Sequence, residues 1–247
     1  MTILERLKDA GFDVLLLHHA EAILLHDMPQ AITDIEETLL SIRIPIVELV
    51  QGGGGATKLT QRLRNDLSRK GWLKKRIEIK KLVNERPIVS LSHEIDHVKQ
   101  FGTFLAALEI EWNNKDPFFD RDLESFRRLH GEGAISVGII VTRGRSLQSQ
   151  MSSLLSRFAE AHQISSEGDL EKYEYRPTRR QQRELRKRLH GGKSFAAAWV
   201  DVFVSDKFGD STTHWDQLEA RVRRGVANPC PLLLIGIPDS VVVFDTA

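Results

Sequence analysis

Residues 103–126 read TFLAALEIEWNNKDPFFDRDLESF. The apolar run from Phe104 to Leu108 predicts a buried strand, and Glu109 and Glu111 follow on either side of Ile110. Successive side chains of an extended chain alternate faces, so the two glutamates point the same way, about 7 Å apart. Carboxylates that close together on a buried face repel and lose hydration, so something must compensate them. Asp96, in SHEIDHV, precedes Glu109 by thirteen residues across a turn containing Gly102. A strand, a short turn and a returning strand would bring Asp96 beside the two glutamates. Mg²⁺ suits such a place, since it takes a few carboxylates, a carbonyl and several waters, and the Ile110 carbonyl is available. The plainer alternative sets both glutamates on a solvent-exposed sheet face, with Asp96 capping a turn.

Outward from this stretch, apolar and turn patterns alternate. DVLLLH (13–18) reads as a strand or a buried helix end, and AITDIEETLLSI (31–42) as a helix capped by Thr33 or Asp34. IPIVELV (44–50) is strand-like, and a strongly helical segment follows it through LRNDLSRKGW. PIVSLSHEIDHVKQ (87–100) predicts a strand and turn, TFLAALEIEW the central strand, and DRDLESFRRLHGEG (120–133) a helix stopped by glycines. AISVGIIVTRG (134–144) is the clearest buried strand. Helices follow over 150–162, 178–190 and THWDQLEARVRRG (213–225), then late strands in CPLLLIGI and SVVVFD. Strands alternating with helices indicate an α/β fold with a mixed central sheet flanked by helices. With no internal repeat or long linker, a single domain over 1–247 is expected.

Composition is that of a soluble globular chain: 247 residues, 41% hydrophobic and 28% charged, with a formal net charge of +1. So small a net charge supplies no global attraction for polyanions, and any nucleic-acid surface must come from local clustering. Two clusters exist. Residues 62–81 hold nine Lys/Arg against Asp66 and Glu78, and residues 176–193 hold eight against Glu184. Each alone could be a solvated face. Together, flanking an acidic centre, they suit an enzyme that grips a phosphate backbone and cleaves it with metal.

Other features are less specific. QGGGGATKLTQRL (51–63) lacks the Lys-Ser/Thr that directly follows the last glycine of a nucleotide-binding loop. It reads as a glycine-rich approach to a nucleic-acid backbone, with Lys58 at the helix start, or as a flexible turn. His93 and His97 bracket Asp96 without zinc-ligand spacing, and His214 reads as a core or interface residue. The single cysteine, Cys230, excludes an intrachain disulfide and reads as a small buried apolar residue. No stretch is long and apolar enough for a membrane span, and FDVLLLHHAEAILL lacks the marks of a signal peptide, so a cytoplasmic location is expected.

Asp96, then Glu109-Ile110-Glu111 at the end of an apolar strand, then a helix and GIIVTRG, together resemble the PD-(D/E)xK nuclease core. More narrowly they resemble type II restriction endonucleases of the BglII/BamHI-like branch, over roughly residues 30–145. Most of the superfamily carries Lys where this chain has Glu111; the BamHI-like branch has Glu and the BglII-like branch Gln. The resemblance implies that Asp96, Glu109 and the Ile110 carbonyl hold Mg²⁺, while Glu111 orients or deprotonates the attacking water. It implies a homodimer cutting double-stranded DNA, and a cognate DNA methyltransferase that acts on the same site without being bound. The carboxy-terminal part would supply DNA-binding or dimerisation elements, with Arg179, Arg180 and Arg183 on the phosphates. Base-reading side chains would come from Asn113, Asn114, Arg143, Arg145, Gln148 and Gln150, since Asn and Gln suit adenine and Arg suits guanine. Competing expectations are a repair or structure-specific nuclease and a DNA-binding module without catalysis, which the presence of all three acids opposes. A small-molecule metalloenzyme is opposed by the basic segments.

Overall fold

Three consecutive apolar strands organise the molecule. In the computed structural model, which describes residues 3–51, 57–115 and 117–244 and only the backbone of 87–91, they are three of the four inner strands of a six-stranded sheet. In chain order the elements are α1 (Glu5–Asp9), β1 (Asp13–Leu17), α2 (Ala20–His26), α3 (Pro29–Leu40), β2 (Ile44–Pro45), α4 (Ile46–Val50) and α5 (Lys58–Arg69). Then come β3 (Leu73–Val83), β4 (Arg86–Phe101), β5 (Phe104–Glu111), α6 (Phe118–Gly131), β6 (Val137–Arg143) and α7 (Arg145–Ala161). The chain continues with α8 (Glu167–Glu171), α9 (Arg179–His190), α10 (Phe195–Lys207), α11 (Trp215–Arg223), β7 (Leu232–Ile237) and the two-residue β8 (Val242–Val243).

The sheet order is β1-β7-β6-β5-β4-β3. Strands β5, β6 and β7 run parallel, β1 is antiparallel to β7, and β3 and β4 form an antiparallel hairpin against β5. Every residue of β6 and β7 is buried, as expected of parallel strands covered on both faces. On β5, Ala106 and Leu108 face a larger core shared with α3, α5, α7 and α10, whereas Ala107 faces a smaller core shared with α6 and α11.

Each flanking helix is held by its own apolar stripe. On α5, Leu59, Leu63 and Leu67 recur every four residues and are buried, while the Thr57 hydroxyl caps the helix by accepting the Thr60 N–H. On α6 the stripe is Phe119, Leu123, Phe126 and Leu129. At Gly138 of β6 an added Cβ would lie 2.4 Å from the Phe126 ring, so the missing side chain is what lets α6 lie this close to the sheet. A buried polar link ties α3 to β4 and to the turn after α5: Asp34 accepts from the Trp72 indole (2.9 Å), the Lys99 ammonium (2.6 Å) and, within α3, Gln30 (3.0 Å).

Several local expectations are corrected. IPIVELV is a two-residue strand followed by α4, with Pro45 at the N-cap and Ile46, Leu49 and Val50 buried; packing overrides the β-branched preference of the segment. The helix expected to be capped by Thr33 or Asp34 starts at Pro29, where proline's fixed φ suits a first turn, and Asp34 lies inside it. Basic segment 62–81 is the second half of α5 plus β3, an exposed edge strand that the sequence pattern does not announce. SVVVFD contributes a 3-10 turn and β8, which pairs with β2. The glycine run 52–55 lies outside the described residues. No helix among the described residues is long and apolar enough to cross a membrane.

Candidate active site

The ladder between β4 and β5 ends at His97–Leu108. Lys75 pairs with Ile95 and Leu73 with Val98, so Asp96 and His97 together oppose Lys74 in a β-bulge. Beyond it the strands part, and a cleft of about 570 Å³ opens there. Asp96, Glu109, Ile110 and Glu111 line it, with Asn113 and Asn114 beyond the strand end, Phe118 and Arg121 from α6, and Thr57, Thr60 and Arg64 on the α5 side. The sequence-predicted acids therefore meet.

Glu109 and Glu111 are only 5% and 4% exposed, which removes the solvent-exposed alternative. Asp96 is half-buried and accepts from Arg64 at 2.9 Å, with Lys74 at 3.8 Å. Burial pushes Glu109 up to about 9, helped by the negative charges of Asp122, Asp96 and Glu111. Burial and then Asp122 push Glu111 up to about 8, against the pull of the Asn114 amide and Arg121. The Asn114 side chain donates to Glu111, and Arg121 lies 3.5 Å from it, stacked over the Phe118 ring.

Asp122 and His93 complete the group. The Asp122 carboxyl is fully buried; Oδ1 accepts from Arg121 (2.9 Å), and Oδ2 has no hydrogen-bond donor. One ligand atom each from His93, Glu109 and Asp122 lie within 4.8 Å of one another. Geometry explains the meeting. Phe126 sits on Gly138, whose partner on β5 is Ala107. One helical turn back along α6 from Phe126 is Asp122, and two residues on along β5 from Ala107 is Glu109, steps of about 6 Å and 7 Å. His93 lies 3.1 Å by Nδ1 from the Ser125 hydroxyl of α6, and burial lowers its pKa, which favours the neutral ring. Sequence reasoning missed Asp122, although an acid on the apolar stripe between Phe119 and Phe126 is a readable signal.

These carboxylates fit a divalent cation on structural grounds. An orphaned oxygen on a fully buried aspartate, beside two glutamates held towards neutrality by burial, is a donor set short of positive charge. A family model for the restriction endonuclease BglII/BglIII matches residues 12–237 of the chain.

The chain belongs to the BglII/BglIII restriction endonuclease family.

No curated protein matches it. Membership makes it a DNA-hydrolysing enzyme of the restriction class, and the mixed sheet flanked by helices is the arrangement expected.

The expected base-reading residues fare unevenly. Arg143 is corrected: it is fully buried, its guanidinium donating to the Trp112 and Thr213 carbonyls and the Thr212 hydroxyl and lying over Phe208, so it cannot reach a groove. Its pKa is pulled down to about 9 by burial. Arg145, half-exposed, is held by Asp13, Asp216 and Glu219 over the Trp215 ring. The Gln148 amide donates to the Phe208 carbonyl. Asn114 is bound to Glu111 and, through its backbone, to Thr213. Asn113 lines the cleft half-exposed, while Gln150 and Lys58 are exposed. Arg179, Arg180 and Arg183 are exposed on α9, which packs on α10 and does not line the cleft. Cys230 is buried, its thiol pushed up to about 12 by burial, and His214 is buried with Nδ1 at 2.8 Å from the Thr212 carbonyl.

Proposed function

We propose that this chain is a type II restriction endonuclease that hydrolyses phosphodiester bonds of double-stranded DNA at a specific sequence, with Mg²⁺, as a homodimer. The observation that carries the reading is the meeting of Asp96, Glu109 and Glu111 at the parting of β4 and β5, in a cleft flanked by α5. Asp96, Glu109 and the Ile110 carbonyl hold the cation. When bound, it lowers the pKa of a coordinated water and stabilises charge on the phosphate and the leaving 3′-oxygen.

The protein's own groups do the rest. Glu111 orients the attacking water and takes its proton, which requires the ionised carboxylate; Asn114 and Arg121 both favour that form. Asn114 also fixes the direction of Glu111, because its backbone is anchored to Thr213. Arg64 on α5 supplies positive charge at the cleft mouth, with Lys58 at the helix start for the DNA backbone. Half-exposed Asn113 and exposed Gln150 remain the candidates for base edges.

Digestion of a plasmid of known sequence in Mg²⁺ tests the proposal. Discrete fragments are expected. Smears, or cutting only at junctions, would indicate a repair nuclease, and retained binding without cutting an inactive DNA-binding module. Sedimentation with and without cognate duplex tests the dimer.

A further inference from the structure

We propose that His93, Glu109 and Asp122 form a second cation position on the α6 side of the cleft, one that takes a divalent transition ion such as Mn²⁺ through an imidazole nitrogen and two carboxylates. The role of this position in cleavage rests on the nuclease reading above; its existence does not.

Two independent observations support it. The first is convergence: three ligand atoms from β4, β5 and α6 lie within 4.8 Å of one another. Ligands of a small octahedral ion stand about 3 Å apart when adjacent and about 4 Å when opposite, so the group needs to contract by up to about 2 Å. The second is the state of Asp122. Its carboxyl is fully inside the protein, yet Arg121 satisfies only one oxygen, and apart from the neighbouring Glu111, itself an acid, the other meets no donor. Of the buried side-chain atoms without a partner among the described residues, Asp122 Oδ2 is the one carboxylate oxygen, and a buried anion is costlier to leave unpaired than a neutral group.

The position is distinct from the one proposed for Asp96. The bulge at Asp96–His97 turns Asp96 to Arg64 on the α5 side, whereas Asp122 and His93 belong to the α6 side. Glu109 stands between them and is the carboxylate the two positions share. The donor chemistry also separates them, because Mg²⁺ and Ca²⁺ favour oxygen ligands and Mn²⁺ accepts imidazole more readily. The Ser125 hydroxyl on Nδ1 is the type of outer hydrogen bond that holds a ligating ring in place.

The test is pulsed electron paramagnetic resonance of Mn²⁺ added to the metal-free full-length chain, without DNA. Coupling to a directly bound imidazole nitrogen is expected in the wild type and in Asp96→Asn, and its loss is expected in His93→Gln. A second variant, Asp122→Asn, keeps shape and loses charge, and should weaken Mn²⁺ binding at least about tenfold. The proposal is overturned if the wild type shows no nitrogen coupling, if the coupling survives His93→Gln, or if Asp122→Asn binds Mn²⁺ as the wild type does. Failure of the nuclease reading would show instead as intact plasmid, with the nitrogen signal unaffected.

Discussion

Strands β5 and β6 lie side by side and parallel, and each carries charge into the interior near its carboxyl end, but the surroundings treat the two charges oppositely. On β6, Arg143 finds two backbone carbonyls, a hydroxyl and an aromatic face, and only its Nη1 is left without an acceptor. On β5, Glu109 and Glu111 meet further acids, and their pKa values rise. A buried charge bound from several sides by the protein's own acceptors is part of the scaffold. One left with open valences marks where something from outside must bind.

The largest effect that could break this contrast is on cleavage. Asp96→Asn and Glu109→Gln should each reduce single-turnover cleavage by several orders of magnitude while DNA binding, followed in Ca²⁺, persists or strengthens. Glu111→Lys should also be inactive, since it puts a cation where the site is built around anions and a metal. Near-wild-type cleavage by Asp96→Asn or Glu109→Gln would remove that residue from the ligand set, and full activity of Glu111→Lys would end the BamHI-like assignment of that residue.

Stability comes next, and here the two strands should respond with opposite signs. A carboxyl whose pKa is raised in the fold binds its proton more tightly there than in the unfolded chain. The contribution of Glu109 to the stability of the metal-free protein is therefore fully present below about pH 4.5 and falls as pH rises toward about 9. By pH 8 the loss at Glu109 amounts to about 3 to 5 kcal/mol. Glu109→Gln should flatten that decline in urea melts performed in chelator. Arg143→Met should instead destabilise by about 2 to 4 kcal/mol, because two buried carbonyls lose their donor. An equally steep decline in Glu109→Gln, or a stable Arg143→Met, would erase the distinction.

Smaller still is Glu111→Gln, for which a slowing on the order of a hundredfold is expected, since glutamine still hydrogen-bonds a water but cannot take its proton. Mg²⁺ and DNA affinity should hold in the same titration. The smallest effect concerns α9. Substituting Arg179, Arg180 and Arg183 together should flatten the salt dependence of DNA binding by about one unit for each phosphate that is no longer neutralised, and an unchanged slope would return α9 to a solvated face.

The centre of the fold was legible because Phe104–Leu108 and Val137–Arg143 are apolar beyond what a helix or half-exposed strand would carry. The acid site followed from the same stretch, since alternation alone sets Glu109 and Glu111 on one side. What escaped depended on distant parts of the chain. Strand β3, LKKRIEIKKLV, is exposed apart from the partly covered Ile77 and Ile79, so its pattern is too faint to read. Asp122 enters the site through the approach of α6 at Gly138, a matter of packing and not of local sequence. Arg143 looked like a reader of guanine only because nothing nearby in sequence reveals Thr212 and Thr213.

Strand β3 ends the sheet, and its outer backbone edge has no neighbouring strand among the described residues. Such an edge is a template on which a second chain can continue the ladder, the usual start of self-association. Five Lys and Arg on β3 against the single Glu78 oppose this, because two copies brought edge to edge would crowd like charges together. The safeguard is electrostatic, so salt weakens it. A dilute stock should stay dispersed at low ionic strength and become more prone to clumping as salt is raised, the reverse of what is expected for proteins that cluster by ion pairing.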